Sequence, residues 1–241
     1  MSNEWRPPGL ESLWHQPLAG AAAGVSPVCV VEFDRDAFDL AAFTACGIEL
    51  PPSVVRSVPK RQAEFFFGRF AARTVMQSLQ RQPAPVGTGA FREPLWPHGL
   101  QGSISHSGRF AAAVAAEPAA HRGIGIDIEG LIGESSIGAV TSAAMDAAEL
   151  ALLRSLPPSL SLPALYTIVF SAKESFFKGA FGAVGRYFDF SAVRVASVDL
   201  SGQCLQFEVR EDLCAALRKG WVGTVHFGFM RDDTVITSFV W

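Results

Sequence analysis

Apolar and polar positions change period several times along this 241-residue chain. Val28-Cys-Val-Val-Glu-Phe33 is almost continuously apolar and short, which predicts a strand. The preceding residues 1–24 are rich in Pro, Gly and Ala and show no clear period. From Pro59, a residue suited to a first helical turn, Phe65, Ala72, Val75, Met76 and Leu79 recur at helical spacing and predict one core-facing helix. Gln62, Arg69 and Arg73 fall on another face, with Arg61 beside it. Residues 81–102 are punctuated by Gly and Pro and predict loop. Two short strands joined by a polar turn follow, in Gly102-Ser-Ile-Ser-His-Ser-Gly108 and Phe110–Ala116. Gly123-Ile-Gly-Ile-Asp-Ile-Glu129 alternates strictly and predicts a strand. Residues 130–140 read as loop. A helix is expected from near Thr141 or Ser142 to about Leu156, where Pro157-Pro158 stops it. Another should run from Leu162-Pro163 to about Gly179, with Tyr166, Val169, Phe170, Phe176 and Phe177 as its apolar surface. After Gly185 the period returns to two, giving strands at Ala192–Val198, Cys204–Val209, Val222–Met230 and Thr234–Val240.

Composition narrows the class. Hydrophobic residues make up 49% and charged residues 18%, enough for a sizeable core in one large domain or two small ones. A net charge of -3 argues against a general nucleic-acid binder. No apolar run approaches the roughly 18 residues that span a bilayer, and Glu4, Arg6, Pro7 and Pro8, with no clean apolar stretch, argue against the expectation of a secretory leader. Cys29, Cys46, Cys204 and Cys214 lack Cys-x-x-Cys spacing and read as thiols of a reducing compartment. The five histidines give no His-x-x-x-His pair, so zinc is poorly supported.

The chemistry concentrates in two stretches. Strand alternation puts Asp127 and Glu129 on one face and Ile126 and Ile128 on the other. Glycines 123 and 125 let another backbone or a ligand come close. Phe170-Ser-Ala-Lys-Glu-Ser-Phe-Phe-Lys178, on the last predicted helix, offers Lys173, Glu174 and Lys178. Glu174 and Lys178 are i, i+4 neighbours, which by itself describes a surface ion pair. Together, three carboxylates suit a hard divalent cation and two ammonium groups suit phosphates. The hydroxyl- and imidazole-rich Ser105-His106-Ser107 and the arginines of the first long helix add anion donors. These residues equip a magnesium-dependent enzyme acting on a phosphate ester or anhydride. Transfer to an acceptor, hydrolysis by a phosphatase or nucleotidase, and a binding module without chemistry all remain open at this point.

With these residues in place the chain resembles the 4'-phosphopantetheinyl transferases of the surfactin-synthetase-activating superfamily, most nearly the enterobactin synthetase component D type. Three motifs carry the likeness: Gly102–Gly108, Gly123–Glu129 and Phe170–Lys178. The stretches Arg61–Arg73, Arg92–Gly99 and Arg231-Asp-Asp-Thr-Val-Ile-Thr237 also fit, so the resemblance covers roughly residues 50–240. It implies an α+β fold: two similar α/β subdomains, residues 1–122 and 123–241, related by a pseudo-two-fold, with the coenzyme A site in the cleft between them. It also implies a cytoplasmic monomer with no nucleic-acid or membrane partner. The implied reaction moves the 4'-phosphopantetheine arm of coenzyme A to a serine of an apo acyl or peptidyl carrier protein and releases adenosine 3',5'-bisphosphate. By the same carry-over, Asp127, Glu129 and Glu174 hold Mg2+, and Lys173 and Lys178 face the pyrophosphate. Ser105 and His106 contact the coenzyme's phosphates, with Arg61, Arg69 and Arg92 as further contacts. Glu174 is the implied general base, with Lys173 and Lys178 assisting the transfer. The chain departs from the surfactin type where that type has Gly-Lys-Pro, because Arg92-Glu93-Pro94 stands there instead. Both Asp146 and Glu149 could match the family's further acidic residue.

Overall fold

The structure, a computed structural model, describes residues 6–18, 20, 24–119, 121–231 and 234–241. Asp232 and Asp233 of the Arg231–Thr237 stretch and Glu4 lie outside the described residues. The chain divides into two compact units; Gly24–Glu117 belongs to the first and Pro118–Trp241 to the second.

In the first unit, strands β1 (Leu10–Gln16) and β2 (Val28–Phe33) precede short helices α1 (Ala41–Ala45) and α2 (Pro52–Val55) and the long α3 (Pro59–Ser78). A two-residue ladder, β3 (Gly87–Thr88) with β4 (Pro94–Leu95), leads to the hairpin β5 (Gln101–Ser107) and β6 (Phe110–Ala116). The sheet order is β1-β2-β6-β5, all antiparallel. Helix α3 lies on this sheet because β6 is nearly all alanine and fully buried, so Phe66, Phe67 and Ala71 of the helix sit deep. Phe33 and Phe67 stack with ring centroids 4.5 Å apart. Gly68 keeps the helix close: a Cβ there would stand 2.9 Å from Ile104 Cγ2. Gln62 is buried and donates from its amide to the carbonyls of Val54 and Val55, so it ties α3 to α2 and does not present to an anion.

The second unit opens with β7 (Ile124–Gly130), then α4 (Glu134–Ala144), α5 (Ala147–Ser155) and the 23-residue α6 (Leu162–Val184). Four strands follow: β8 (Val193–Asp199), β9 (Cys204–Val209), β10 (Val222–Phe229) and β11 (Thr234–Val240). They form an antiparallel sheet of order β7-β11-β10-β9-β8. Ser161 caps α6 by accepting from Ala164 N–H, and Gly185, at φ +68°, ends it in the left-handed region. Phe176 fills the space under the helix, with its ring 4.8 Å from Phe239.

Three readings of the sequence change. β1 falls in the stretch without a period, because LESLWHQ is half-exposed on both faces and does not alternate. The single helix expected from Thr141 to Leu156 is two: α4 begins at Glu134, inside the expected loop, and Met145 in extended conformation breaks it from α5. The break has a local cause. Asp146 accepts from Glu149 N–H at 2.8 Å, and Asp146 N–H donates to the Glu149 carboxylate at 2.9 Å. This reciprocal box starts a new helix. Third, α6 continues five residues past Gly179, to Val184.

Candidate active site

Residues 123, 125, 127 and 129 share one face of β7, and that face meets α6. A Cβ on Gly125 would fall 2.0 Å from Ser175 O, and one on Gly123 would fall 1.9 Å from Gly179 O. The glycines therefore admit the helix backbone itself. The next residue on the same face is Asp127, which is buried, and its Oδ1 accepts from Lys178 Nζ at 2.6 Å. The opposite face carries Ile126 and Ile128, both fully buried. Behind the glycine contact, Ser171 and Ser175 of α6 meet Thr237 of β11 through their hydroxyls at 2.9 and 2.5 Å. Thr237 is the register partner of Asp127, so these hydroxyls fix α6 beside the carboxylate.

Glu174 stands half-buried one residue along α6 from the buried Lys173. Burial pushes its carboxyl above the ordinary range; Lys178 pulls it back down and the like charge of Asp127 raises it again. Asp127 and Glu174 are thus two carboxylates within each other's field, with Lys178 as the compensating cation. Among the described residues, no group of three or more His, Cys, Asp or Glu is gathered closely enough to hold a metal ion. Glu129, half-buried on the face of β7 that carries Asp127, does not complete such a trio. The donor set still fits magnesium, which is commonly bound through one or two carboxylates plus water and substrate phosphate oxygens. Lys178 shows that a cation is accepted there.

Lys173 does not join this group. Its ammonium lies 2.8 Å from Glu149 Oε1 and donates to Oε2 at 3.0 Å, with both side chains only 1% exposed. Burial pushes the Lys173 pKa down, and Glu149 opposes that shift. Glu149 also accepts from Val195 N–H at 2.8 Å, and Lys173 donates to Phe190 O at 3.4 Å. Of the two acids weighed from sequence, Glu149 is therefore the one paired with a motif lysine; Asp146 caps α5.

The first unit carries a separate cationic group. Arg61 Nη1 donates to His106 Nε2 at 2.6 Å, and the other ring nitrogen, Nδ1, faces the Glu64 carboxylate at 3.6 Å. A guanidinium can only donate, so Nε2 is the acceptor and the neutral ring carries its proton on Nδ1. Glu64, largely buried, also draws Lys60 and Arg61 to 3.8 Å. Arg69 lies over the Phe65 ring at 4.6 Å and donates to Gly87 O and Thr88 Oγ1 at 2.9 and 3.1 Å. Burial, and then the nearby Arg61, push its pKa down to about 10, and its Nε is buried without a hydrogen-bond partner. A desolvated cation of this kind is stabilised by an incoming anion. Arg92 is exposed, at φ +68°, in the turn of the β3–β4 ladder that Arg69 holds. Ser105 is buried and alternates with His106 on β5, so the two side chains leave opposite faces of the strand. Arg61, His106 and Arg69 thus form one neighbourhood, tied through Gly87–Thr88 to the turn that bears Arg92, whereas Ser105 points away from it.

One residue escaped the sequence reading of the site. Glu64 was visible only as part of a helix motif, although it lies three and four residues from Arg61 and Lys60. The inward turn of Lys173 was signalled by its place on the apolar stripe Val169, Phe176, Ala180, at steps of four and three.

The model of the 4'-phosphopantetheinyl transferase N-terminal domain matches residues 51–116, and that of the 4'-phosphopantetheinyl transferase superfamily matches residues 123–227. Enterobactin synthase component D of Salmonella typhimurium is 34% identical over 178 residues, 74% of this chain and 71% of that protein. The 4'-phosphopantetheinyl transferase PptT of Mycobacterium tuberculosis is 33% identical over 149 residues, 61% of this chain and 63% of its own. Svp of Streptomyces mobaraensis, another 4'-phosphopantetheinyl transferase, is 34% identical over 145 residues, covering 59% and 57%. The chain belongs to the 4'-phosphopantetheinyl transferase superfamily and has its mixed helix-and-sheet fold. No helix among the described residues is long and apolar enough to cross a membrane.

Proposed function

We propose that this protein transfers the 4'-phosphopantetheine arm of coenzyme A to a serine hydroxyl of an apo acyl or peptidyl carrier protein, with Mg2+, releasing adenosine 3',5'-bisphosphate. The observation that carries the reading is the Asp127–Lys178 contact with Glu174 in its field. It is supported by family membership and by the cationic group on α3 and β5.

In the reaction the serine Oγ forms a bond to the phosphorus bearing the pantetheine arm. The P–O bond to the adenosine-side phosphate breaks, and that phosphate leaves with the electron pair. The serine proton goes to a base. Glu174 is the candidate that the resemblance assigns, a half-buried carboxylate in the field of Asp127 and Lys178. Lys178, with 27% of its side chain exposed, presents an ammonium that offsets charge on the phosphates. Asp127 and Glu174 would hold magnesium, with Glu129 as the third carboxylate that the resemblance assigns; the ion would supply positive charge against that of the phosphates. Arg61 and Arg69 bind phosphate oxygens of the coenzyme by charge-assisted hydrogen bonds, and His106, Arg92 and Ser105 are assigned to the same task by resemblance alone. The resemblance also supports a pseudo-two-fold arrangement with a coenzyme cleft, and a cytoplasmic monomer. The names of its enterobactin synthase relatives point to carriers of siderophore synthesis as the first acceptors to try.

Chromatographic detection of adenosine 3',5'-bisphosphate from coenzyme A tests the reading. Release should require both carrier and magnesium. Release without a carrier would instead identify a hydrolase, and coenzyme A binding without release would identify a binding module.

A further inference from the structure

Lys173 sits in a motif whose other charged members, Glu174 and Lys178, approach β7, yet it faces the core of its own unit. Its neighbours along the buried stripe are Val169 and Phe176, both fully buried. Every oxygen of its partner is occupied. Glu149 Oε1 accepts from Val195 N–H, Oε2 accepts from Asp146 N–H, and the ammonium lies within 3.0 Å of both. To reach a phosphate, Lys173 would have to leave a carboxylate that is 1% exposed without a cation, which is strongly unfavourable.

We propose that Lys173 and Glu149 are positioning residues: their buried pair locks the rotation of α6, and the Lys173 ammonium does not touch coenzyme A. Glu149 is fixed to the first turn of α5 and to β8, so Lys173 pins α6 to both. Successive helix residues are turned by about 100°, so holding Lys173 inward sets Glu174 and Lys178 on the flank that meets Asp127. The glycine and hydroxyl contacts to β7 and β11 set the depth of α6, and the ion pair sets its angle. The function of that flank rests on the transferase reading; the isolation of the pair does not.

Two experiments test the inference. The first is lysine acylation of the native wild-type protein, read by peptide mass spectrometry with and without coenzyme A. Lys178 should be labelled and then protected by the coenzyme, and Lys173 should stay unreactive in both states. Labelling of Lys173 in the free protein with protection by coenzyme A would overturn the inference. Failure of coenzyme A to protect Lys178 would count against the transferase reading and leave the Lys173 result standing. The second compares Lys173→Met, Glu149→Gln and the double variant. Each single change leaves one buried charge uncompensated and should lower Tm and kcat together. The double variant should recover Tm and return kcat and the KM for coenzyme A to within about three-fold of wild type. A double variant with restored Tm but kcat still down by about a hundred-fold would place the ammonium at the reacting phosphates. If the double variant does not fold, the labelling pattern decides.

Discussion

Gly125→Ala puts one of the tightest backbone contacts of the second unit under load. The added methyl carbon would fall 2.0 Å from Ser175 O and 2.5 Å from Gly179 N. The first is roughly 1.4 Å inside the nearest ordinary van der Waals approach of about 3.4 Å. Both obstacles are helix backbone, so no side chain can rotate away and α6 itself must move from β7 by an ångström or more. Overpacking of this kind costs about 1–3 kcal/mol. At roughly 2–4 °C per kcal/mol for a chain of this length, Tm should fall by about 2–12 °C, with the unyielding obstacles favouring the upper half. The same displacement draws Lys178 away from Asp127, a contact now at 2.6 Å, and carries Glu174 with it. A misplacement of about 1 Å at a reacting centre costs on the order of a hundred-fold in rate. Scanning fluorimetry and a carrier-modification time course at saturating coenzyme A would measure both. A Gly125→Ala protein with wild-type Tm and turnover would refute the idea that β7 and α6 are held in backbone contact to align Asp127, Glu174 and Lys178.

Further predictions follow from individual groups. Asp127→Asn should abolish transfer and lower the Glu174 pKa, because the like charge is gone and Lys178 is released toward Glu174; carboxyl-carbon NMR would read the shift. Folded Glu174 titrates above its ordinary value of 4.5, so the native state holds the extra proton, and without metal its stability contribution falls as pH rises from 4.5 through the raised value. Glu174→Gln should remove that fall in a pH series of urea melts, and an unchanged pH profile would contradict the burial argument. Glu64→Ala frees Arg61 and His106 from their shared carboxylate and should raise the KM for coenzyme A about ten-fold with kcat unchanged; a pure loss of kcat would put Glu64 near the chemistry. Cys29, pushed up to about 12 by burial, should resist alkylation at pH 8 until the protein unfolds.

Much of this organisation was legible from the chain. The existence of the two long helices and of the strands after Gly185 was legible from period, and β9 alternates cleanly, although α3 buries Gln62–Gly68 and α6 buries Ala164–Val169 without a break. The glycines of β7 were read correctly as places of close approach, and what approaches is the backbone of α6. The stretch Glu134–Ser155 was misread because α4 buries only Ala144 and so has little apolar period to see. The Asp146–Glu149 spacing is the capping-box signal that marks the break. The direction of Lys173 was harder to read, because neighbours on a helix face directions about 100° apart. Only the apolar stripe beside Lys173 tells which of them turns inward. The pairing of Arg61 with His106 joins residues 45 apart and needed the β5 register to appear.

Intact-mass spectrometry of an apo carrier protein incubated with this protein, coenzyme A and magnesium tests the central claim most directly. The carrier should gain about 340 Da, the mass of a phosphopantetheine arm, and the gain should vanish with chelator or with Asp127→Asn, as expected for metal-assisted transfer. An unmodified carrier across siderophore, polyketide and fatty-acid acceptors, or a gain that persists in chelator, would contradict the account.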